Sequence, residues 1–512
     1  MRLRHEAHFG DRVVRCFAER PQSLYQIFES AVERNGGGEA LVCGEERLTW
    51  QALQERVARV AQGLSLRKIG RGDRVALLLG NRSEFVVTVF AAARLGAIVV
   101  PLNIRDQKPE LEYVLEHCGA DLVVHETDLA ERLPLLRHRI AVDDFAVLLQ
   151  ESQAEPVPVQ EEDTAAILYT SGTTGRPKGA MLSHLGIVHS AMHYERGMGL
   201  TSADRAIAAV PLSHVTGLIA LIATMARCAG TLVLLPVFKA DEFMALAERE
   251  RMTHAVLVPA MYNLCLLQPD FGRHDLSAWR IGGYGGAPMP LPTIAAFAQK
   301  LPALGLMNLY GATETTSPVT MMPAHETARH SDSVGLAVPC GELLVMDDAG
   351  REVAAGQPGE IWIKGPMVVA GYWNDAAATA REFTGGFWHS GDIGAVDAQG
   401  FVYVFDRKKD MINRGGYKVY SAEVESALLE HPGVVEAAVV AVPCPVLGER
   451  VHAFLTLRRA ASSVSPDALR VFCLERLADY KAPESFSLRS EPLPRNANGK
   501  VLKRALREEL QE

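Results

Sequence analysis

Apolar side chains recur at helical spacing after Thr49, and this spacing predicts a helix whose first turn is capped by the threonine hydroxyl. The run 75–79 that follows is short, apolar and closed by a glycine, which is typical of a buried parallel strand. The same pattern then repeats. The further predicted elements are helices at 83–95 and 109–117 and strands at 98–102 and 121–125. Strands that alternate with helices of this length predict an α/β fold with doubly wound parallel sheets.

The pattern changes beyond Ser333, where strand-like runs are joined by short turns instead of helices. Residues 341–364 and 394–405 resemble hairpins, with turn sequences at 348–350 and 397–400 that contain aspartate and glycine. This part of the chain is therefore predicted to form a smaller β-rich subdomain.

A charged segment at 406–410 separates this subdomain from a tail that has its own pattern. The tail contains a predicted strand at 434–442 and a predicted helix at 465–478. A tail of this size is long enough to fold as a domain. The sequence thus predicts a large amino-terminal domain, 1–408, and a small, mobile α+β domain, 409–512.

The charge balance and the cysteine spacing exclude some classes of function. The chain has 512 residues, with 52 Lys and Arg against 61 Asp and Glu, a net charge of −9. That balance argues against a nucleic-acid binder, which needs a basic surplus. The eight cysteines include no CxxC pair and no Cys/His cluster at the sequence spacing of metal ligands, so we expect reduced, mostly buried thiols.

The most apolar stretch, 218–238, is interrupted by Arg227, Gly230 and Pro236. A buried helix followed by a buried strand explains it better than a membrane span does. The first ten residues lack the apolar run of a signal peptide. We therefore expect a cytoplasmic protein with no membrane span.

The segment 169–179, Tyr-Thr-Ser-Gly-Thr-Thr-Gly-Arg-Pro-Lys-Gly, carries the most chemical information. It follows the apolar run 165–168 and precedes a predicted helix from Ser183, so a strand–loop–helix arrangement is expected. Its glycines allow successive backbone amides to point at one anion, its hydroxyls add donors, and Lys178 adds a positive charge. This content predicts a nucleotide-phosphate site. The Walker pattern GxxxxGK[ST] is absent, which disfavours a P-loop NTPase.

The segment closely resembles the signature of the adenylate-forming superfamily, which includes acyl-CoA synthetases, adenylation domains of peptide synthetases and beetle luciferases. Further segments match in the expected order over nearly the whole chain: Gly285–Pro288, Tyr310–Glu314, Ser390–Asp392, Asp406–Arg407 and Asn498–Lys500. The resemblance implies that ATP activates a carboxylic acid as its acyl-adenylate and that the acyl group then passes to CoA. Mg²⁺ is the implied cofactor; ATP, CoA and a small carboxylic acid are the implied partners.

The resemblance also implies a role for each matching residue. Glu314 would approach Mg²⁺, to which it offers a hard oxygen ligand. Lys178 and Lys500 would face the phosphates, where an ammonium aimed at charge that develops in the transition state contributes about 10²–10³-fold in rate. The implied nucleotide-binding set is Thr170, Ser171, Gly172, Thr173, Thr174, Gly175, Gly286, Ala287, Pro288, Tyr310, Gly311, Thr313, Asp392 and Arg407.

Two different displacements at one site call for a small domain that presents different faces in turn. The resemblance places the hinge at Lys409 and the thiol channel at Gly415 and Gly416. Tyr480, followed by Lys481, resembles an aromatic–basic pair near the CoA nucleotide.

The acid site is predicted from four residues. His214, in the segment 211–217, matches a family histidine near the acyl carboxylate, and Val215, Tyr284 and Leu309 are expected to line the pocket. Many long-chain and hydroxycinnamate ligases have glycine at the position of Leu309, and malonate-type ligases have arginine. A leucine narrows the pocket and removes a second cationic anchor, which predicts an apolar short- to medium-chain or aryl monocarboxylate.

Several alternatives remain open at this stage. The acceptor can be a carrier-protein phosphopantetheine instead of free CoA, a luciferase-type oxygenation shares the same motifs, and a homodimer is compatible with the sequence. A catalytically inactive AMP or CoA sensor would be expected to have lost Lys178, Glu314, Asp392 or Lys500, and all four are present. Each residue also has a purely structural alternative: a solvated Lys500, a capping Glu314, a turn Asp392, an ion-paired Arg407 and a core His214.

Overall fold

The computed structural model describes residues 2–136, 138–170, 176–458, 464–495 and 501–510. In the first part of the chain the elements are β1 (Leu3–His8), β2 (Arg12–Phe17), α1 (Leu24–Asn35), β3 (Glu39–Cys43), β4 (Glu46–Thr49), α2 (Trp50–Leu66), β5 (Arg74–Leu78), α3 (Ser83–Arg94), β6 (Ile98–Pro101), α4 (Lys108–Cys118), β7 (Leu122–His125), β8 (Arg139–Ala141), β9 (Thr164–Thr170), β10 (Lys178–Ser183) and α5 (His184–Gly197).

The central part contains β11 (Arg205–Ala208), a π-helix (Thr216–Ala223), α6 (Thr224–Cys228), β12 (Thr231–Leu234), α7 (Ala240–Arg249), β13 (His254–Leu257), α8 (Pro259–Leu266), β14 (Ile281–Tyr284), α9 (Leu291–Lys300), β15 (Gly305–Tyr310), β16 (Thr320–Met321), β17 (Gly335–Ala337), β18 (Glu342–Met346), β19 (Gly359–Lys364), α10 (Ala376–Glu382) and β20 (Phe383–Thr384).

The last part contains β21 (Phe387–Val396), β22 (Phe401–Arg407), β23 (Ile412–Arg414), β24 (Tyr417–Val419), α11 (Ser421–Leu429), β25 (Val434–Cys444), β26 (Gly448–Leu457), α12 (Pro466–Leu474), β27 (Ser485–Arg489) and α13 (Lys503–Glu508). Short 3-10 helices lie at Thr127–Arg132, Val142–Leu148, Phe271–Arg273 and Thr313–Thr315.

The predicted alternation of helices and strands is confirmed. The Thr49 side chain accepts a hydrogen bond from the Ala52 amide and so caps α2. Apolar side chains from β5, β6, β7, β9 and α4 form one buried cluster, as expected for strands that are covered by helices. The α/β class and the presence of parallel sheets are therefore as the sequence predicts.

The chain divides into two compact units. The first unit comprises 1–343, 362–389 and 400–402, and the second comprises 344–361, 390–399 and 403–512. The hairpin segments 344–361 and 390–399 thus group with the tail, whereas the sequence places them in the large domain. A boundary at Lys409 between two functional domains stays a prediction.

Two sheets with parallel strands form the first unit. One has the order β10-β9-β6-β5-β7-β8, in which β10 alone runs antiparallel to its neighbour. The other contains the run β15-β14-β13-β11-β12-β3, all parallel, and is flanked by antiparallel strands. The carboxyl ends of its parallel strands therefore lie along one edge, where ligands bind in open α/β sheets.

The second unit contains a sheet of order β24-β23-β26-β25, to which β27 adds alongside β26. Its core is built from buried side chains of these strands with α11 and α12. The predicted tail strand and tail helix correspond to β25 and α12, and Ser465 caps α12 by accepting a hydrogen bond from the Ala468 amide.

The apolar stretch 218–238 spans the π-helix, α6 and β12, as its interruptions predict. Among the described helices, none combines the length and the apolar character that crossing a membrane requires. All eight cysteines are free thiols, and six of them are buried.

Candidate active site

Three predicted site segments follow the carboxyl ends of strands in the same parallel sheet. The loop with His214 follows β11, the loop with Gly286 follows β14, and Tyr310 is the last residue of β15. β14 and β15 are direct neighbours, with Tyr284 opposite Asn308. The fold therefore brings the predicted adenine segment and the Tyr310 segment side by side, although 20 or more positions separate them in the sequence.

Glycine is required where these two segments meet. A Cβ atom added at Gly285 would lie 2.4 Å from the backbone oxygen of Leu309, so no larger residue can stand there. Gly286 has φ of +78°, a conformation that side chains with a Cβ rarely adopt. Ala287 and Pro288 continue this loop. The close approach of the two backbones leaves a tight, preformed turn.

The phosphate segment differs from the sequence-based arrangement. Between the loop and α5 the chain forms β10, which pairs antiparallel to β9 with Lys178 opposite Thr170. The segment therefore joins two hydrogen-bonded strands, and the predicted strand–loop–helix is wrong in this respect. Ser183 caps α5 through the Gly186 amide. Ser171, Gly172, Thr173, Thr174 and Gly175 lie outside the described residues.

Glu314 lies in the short 3-10 helix after β15 and is 8 % exposed. Its Oε1 atom accepts a hydrogen bond from the Thr170 hydroxyl at 3.2 Å, and the Tyr372 hydroxyl lies at the same distance. Burial raises the pKa of this carboxyl above its ordinary value, against the nearby positive charge of Lys178. A buried carboxylate among hydroxyls supplies the hard oxygen ligands that suit Mg²⁺.

Lys178 has a partner that the sequence motifs do not reveal. Its Nζ atom donates to both carboxylate oxygens of Glu382 at 2.6 Å and lies 4.3 Å from the centre of the Tyr372 ring. Burial alone would raise the pKa of Glu382, but hydrogen bonds from Lys178 and Tyr372 outweigh it, so the pKa is lowered. Lys178, Glu382, Tyr372, Glu314 and Thr170 thus form one connected polar cluster, which we call the lysine–carboxylate cluster.

Backbone pairing explains how Tyr372 and Glu382 reach this cluster. The Trp373 amide donates to the Gly179 oxygen at 2.7 Å, and the Met181 amide donates to the Gly371 oxygen at 3.2 Å. The segment around Tyr372 therefore lies along the free edge of β10. Asp375 then caps α10 through the Ala378 amide, and Glu382 is the last residue of that helix.

His214 is half-buried at the start of a helical segment with π geometry. Its Nε2 atom lies 3.5 Å from the Asn103 amide nitrogen, and its backbone oxygen accepts from the Leu218 amide. A Cβ atom at Gly217 would lie 2.4 Å from Leu212 Cα, so glycine allows the chain to fold back closely here. π-helical turns are frequent at functional sites because they redirect side chains.

The predicted acid-pocket residues differ in exposure. Val215 is half-buried, whereas Leu309 and Tyr284 are only 6 % and 1 % exposed. Burial raises the pKa of Tyr284 to about 12. The Leu309 side chain lies over Gly283, where an added Cβ atom would be 2.7 Å from Leu309 Cδ1. Leu309 therefore occupies space that a smaller residue would leave open.

Asp392 and Arg407, the predicted ribose pair, meet in the second unit. Arg407 Nε lies 2.7 Å from Asp392 Oδ1, and the Arg407 guanidinium also donates to the Ser390 oxygen at 3.2 Å. The Asp392 side chain is 8 % exposed and the Arg407 side chain 41 %. The ion pair that the sequence leaves as an alternative for Arg407 is present, and its carboxylate partner is the predicted ribose ligand.

Lys408 and Lys409 are both exposed in the turn between β22 and β23. Asp406 accepts hydrogen bonds from the Ser421 backbone amide and hydroxyl, and Asp410 accepts from Arg507 at 2.6 Å. Asp406 and Asp410 thus both bind residues of the tail, and a hinge at Lys409 stays a prediction.

Lys500 lies outside the described residues, but the helix that follows it does not. Lys503 of α13 lies 2.6 Å from Glu425 and 2.7 Å from the Ser421 hydroxyl. Leu506 is fully buried, and Arg507 binds Asp410. Helix α13 is therefore fastened to the residues beside Lys409.

Gly415 and Gly416 form a two-residue turn between β23 and β24, with φ of +58° and +90°. Positive φ at both positions favours glycine and gives the tight hairpin. Tyr417, next in sequence, stacks on Tyr480 with ring centres 4.6 Å apart, and 59 % of Tyr417 is exposed. Lys481 binds Glu423 at 2.6 Å. The turn and Tyr480 thus come together, with Tyr417 as an additional aromatic surface.

Among the described residues, one group of three possible metal ligands forms elsewhere, from Glu6, His8 and Cys16. Arg20 already neutralises Glu6 at 2.7 Å. Burial raises the pKa of the Cys16 thiol to about 12, which disfavours the thiolate that binds metals. This group is therefore better explained as a structural ion-pair network.

Comparison with known proteins agrees with this geometry. A family model described as AMP-binding enzyme matches residues 28–373, and one described as AMP-binding enzyme C-terminal domain matches 423–500. A feruloyl-CoA synthase from Amycolatopsis is 35% identical over 91% of this chain and 94% of its own length. A long-chain-fatty-acid–CoA ligase from Mycobacterium tuberculosis is 34% identical over 90% of this chain and 93% of its own length.

A solved structure extends the likeness to three dimensions. The o-succinylbenzoate–CoA synthetase of Bacillus subtilis, in complex with ATP and magnesium ion, has a TM-score of 0.86 and 30% identity, covering 96% of this chain and 100% of that chain. The relatives act on different acids but share one reaction type. The chain belongs to the AMP-binding enzyme family, the adenylate-forming acyl-CoA synthetases, and is an AMP-forming acid–CoA ligase.

Proposed function

We propose that this enzyme converts an apolar short- to medium-chain or aryl monocarboxylate into its CoA thioester through an acyl-adenylate. The lysine–carboxylate cluster carries the proposal, because it gathers Lys178, Thr170 and the buried Glu314 at the ends of β9, β10 and β15. An ammonium, a hydroxyl and a carboxylate are the groups that a metal-bound triphosphate requires.

In the first step, a carboxylate oxygen of the acid attacks the α-phosphorus of ATP, and pyrophosphate leaves. Lys178 and Thr170 bind and orient phosphate oxygens, and Tyr310 offers a flat face to the adenine. Lys500 stabilises the charge that develops on the α-phosphate oxygens. Glu314 and Thr170 would hold Mg²⁺, which neutralises triphosphate charge when bound.

In the second step, the thiol sulfur of CoA attacks the acyl carbon, and AMP leaves with the bond electrons. The small domain rotates about Lys409 between the two steps. This rotation removes the Lys500 segment from the reaction centre and brings the Gly415–Gly416 hairpin there. The exposure of Lys409 supports this exchange. Tyr480 and Tyr417 supply aromatic faces on which the CoA adenine stacks.

The proposed acid class depends on Leu309 and His214. Leu309 fills space beside Gly283, which shortens the room available for an acyl chain. His214 would lie near the carboxylate of the bound acid, and it contacts Asn103, a neutral side chain. This pair therefore offers no second cation to the other carboxylate of a dicarboxylic acid.

The test is acid-dependent release of AMP and pyrophosphate, measured over a panel of benzoates and linear acids from short chains to palmitate, with malonate included. We expect benzoates or short to medium apolar acids to give the highest kcat/KM. A marked preference for palmitate or malonate would refute the acid class while leaving the reaction type intact.

The lysine assignment is tested by separating the two steps. Lys500→Ala should abolish pyrophosphate exchange but leave thioester formation from supplied acyl-AMP nearly unchanged, because the second step does not use that ammonium. Arg495→Ala is the control, because Arg495 is a cation five positions earlier in the sequence that pairs with Glu436, and this variant should retain both steps. Equal loss in both steps for Lys500→Ala would contradict the assignment.

A further inference from the structure

Glu382 contacts the phosphate-segment lysine more closely than any motif residue does among the described contacts. Both carboxylate oxygens lie 2.6 Å from Lys178 Nζ, so the ammonium faces the carboxylate and Glu382 uses part of its donor capacity. The Lys178 side chain is 10 % exposed and that of Glu382 is 22 % exposed. The pair is therefore partly withdrawn from water, where an ion pair is stronger than on an open surface.

Tyr372 holds Glu382 in this position. Its hydroxyl lies 2.7 Å from Glu382 Oε2, and the Arg381 guanidinium lies 3.0 Å from Oε1. The same hydroxyl lies 3.2 Å from Glu314 Oε1. Because one phenol contacts both carboxylates, the position of Glu382 is linked to that of the proposed magnesium ligand.

A phosphate oxygen and the Glu382 carboxylate compete for the Lys178 ammonium. Each is an anionic acceptor that a lysine ammonium binds at hydrogen-bond distance. Because the ammonium faces Glu382, a full phosphate contact requires it to give up at least part of this ion pair.

We propose that Glu382 is a positioning residue that holds the Lys178 ammonium at the phosphate site and is exchanged for a phosphate oxygen when ATP binds. The proposal rests on the role proposed above for Lys178. Glu382 then weakens ATP binding, because part of the binding energy is spent in breaking the ion pair.

The experiment is a double-mutant cycle on pyrophosphate exchange at saturating acid, with KM for ATP and kcat determined separately. Glu382→Gln should lower KM for ATP about three- to tenfold, because a competing charged acceptor is removed at nearly constant shape. In a Lys178→Ala background the same substitution should leave KM unchanged. A merely structural role for Glu382 would not depend on Lys178 in this way.

Glu342→Gln is the matched control, since Glu342 pairs with Lys364 at 2.9 Å and is not a member of the lysine–carboxylate cluster. It should leave KM for ATP unchanged. Tyr372→Phe is a second variant that loosens Glu382 without removing its charge, and it should lower KM by a smaller factor. Thermal unfolding of every variant shows whether its fold is retained.

The outcomes separate this proposal from the function it rests on. An unchanged or raised KM in Glu382→Gln, or a fall that persists without Lys178, would overturn the proposal. If Lys178→Ala leaves both KM and kcat for adenylation unchanged, the assignment of Lys178 fails and the proposal falls with it. If Lys178→Ala is defective while Glu382→Gln behaves as wild type, the function stands and only the exchange is refuted.

Discussion

Shortening Leu309 to alanine should widen the range of acids that the enzyme accepts. Leu309 is 6 % exposed and fills the space over Gly283, so its truncation opens a cavity instead of exposing surface. Burying acyl carbon in that cavity is worth about 0.8 kcal/mol per CH₂, a factor of about four in kcat/KM for each carbon. Three carbons are removed, so an acid that fills the cavity should gain up to about 2.4 kcal/mol, or roughly 60-fold.

The assay compares kcat/KM for the best wild-type acid with that for acids extended by one to three carbons. Leu306→Ala is the control, because Leu306 is an equally buried leucine of β15 that lies instead over Gly282. Both variants should lose stability, by about 2–5 kcal/mol for a buried Leu→Ala change. Only Leu309→Ala should shift selectivity. Equal selectivity in both variants would show that Leu309 does not line the acid site.

Three further predictions concern the second step and the metal. Lys409→Pro should slow thioester formation more than adenylation, because proline fixes φ near −65°; a fall in pyrophosphate exchange with intact thiolysis would contradict the hinge. Tyr417→Ala should raise KM for CoA by a factor that corresponds to about 1–3 kcal/mol of lost stacking, and it should leave KM for ATP unchanged. The control is Val446→Ala, at an exposed position, and it should change neither KM. Burial raises the pKa of Glu314, so kcat/KM for magnesium-ATP should fall as pH drops through that raised pKa, and excess Mg²⁺, which competes with the proton, should move the midpoint to lower pH. If the pH midpoint stays the same at all Mg²⁺ concentrations, Glu314 is not the Mg²⁺ ligand.

The helices and strands of the first unit were predictable because their signals are local. The cap at Thr49 and the apolar run 75–79 each need only neighbouring residues to specify the element. β10 was missed because a six-residue segment that begins Lys-Gly-Ala looks like the end of a loop. Its strand character depends on pairing with β9, a contact that periodicity does not reveal.

The site was predictable only where a sequence motif marks it. Glu382 ends an ordinary helix, and nothing near it in sequence indicates that Lys178, 204 positions away, is its partner. Tyr417 stands beside the predicted Gly415–Gly416 turn, but its stacking partner Tyr480 is distant in sequence. Tertiary packing brings such residues to the site, and neither the periodicity nor the composition of a single sequence indicates these long-range contacts.

The fastening of α13 has a practical consequence for shortened versions of this enzyme. A chain cut directly after Lys500 would keep every side chain assigned here to chemistry, yet it would lose Lys503, Leu506 and Arg507. The half-buried Glu425 would then lack its cation, which destabilises the fold of the tail. Such a truncation is expected to fail in adenylation although no catalytic group has been deleted, so the last helix must be retained when the enzyme is engineered.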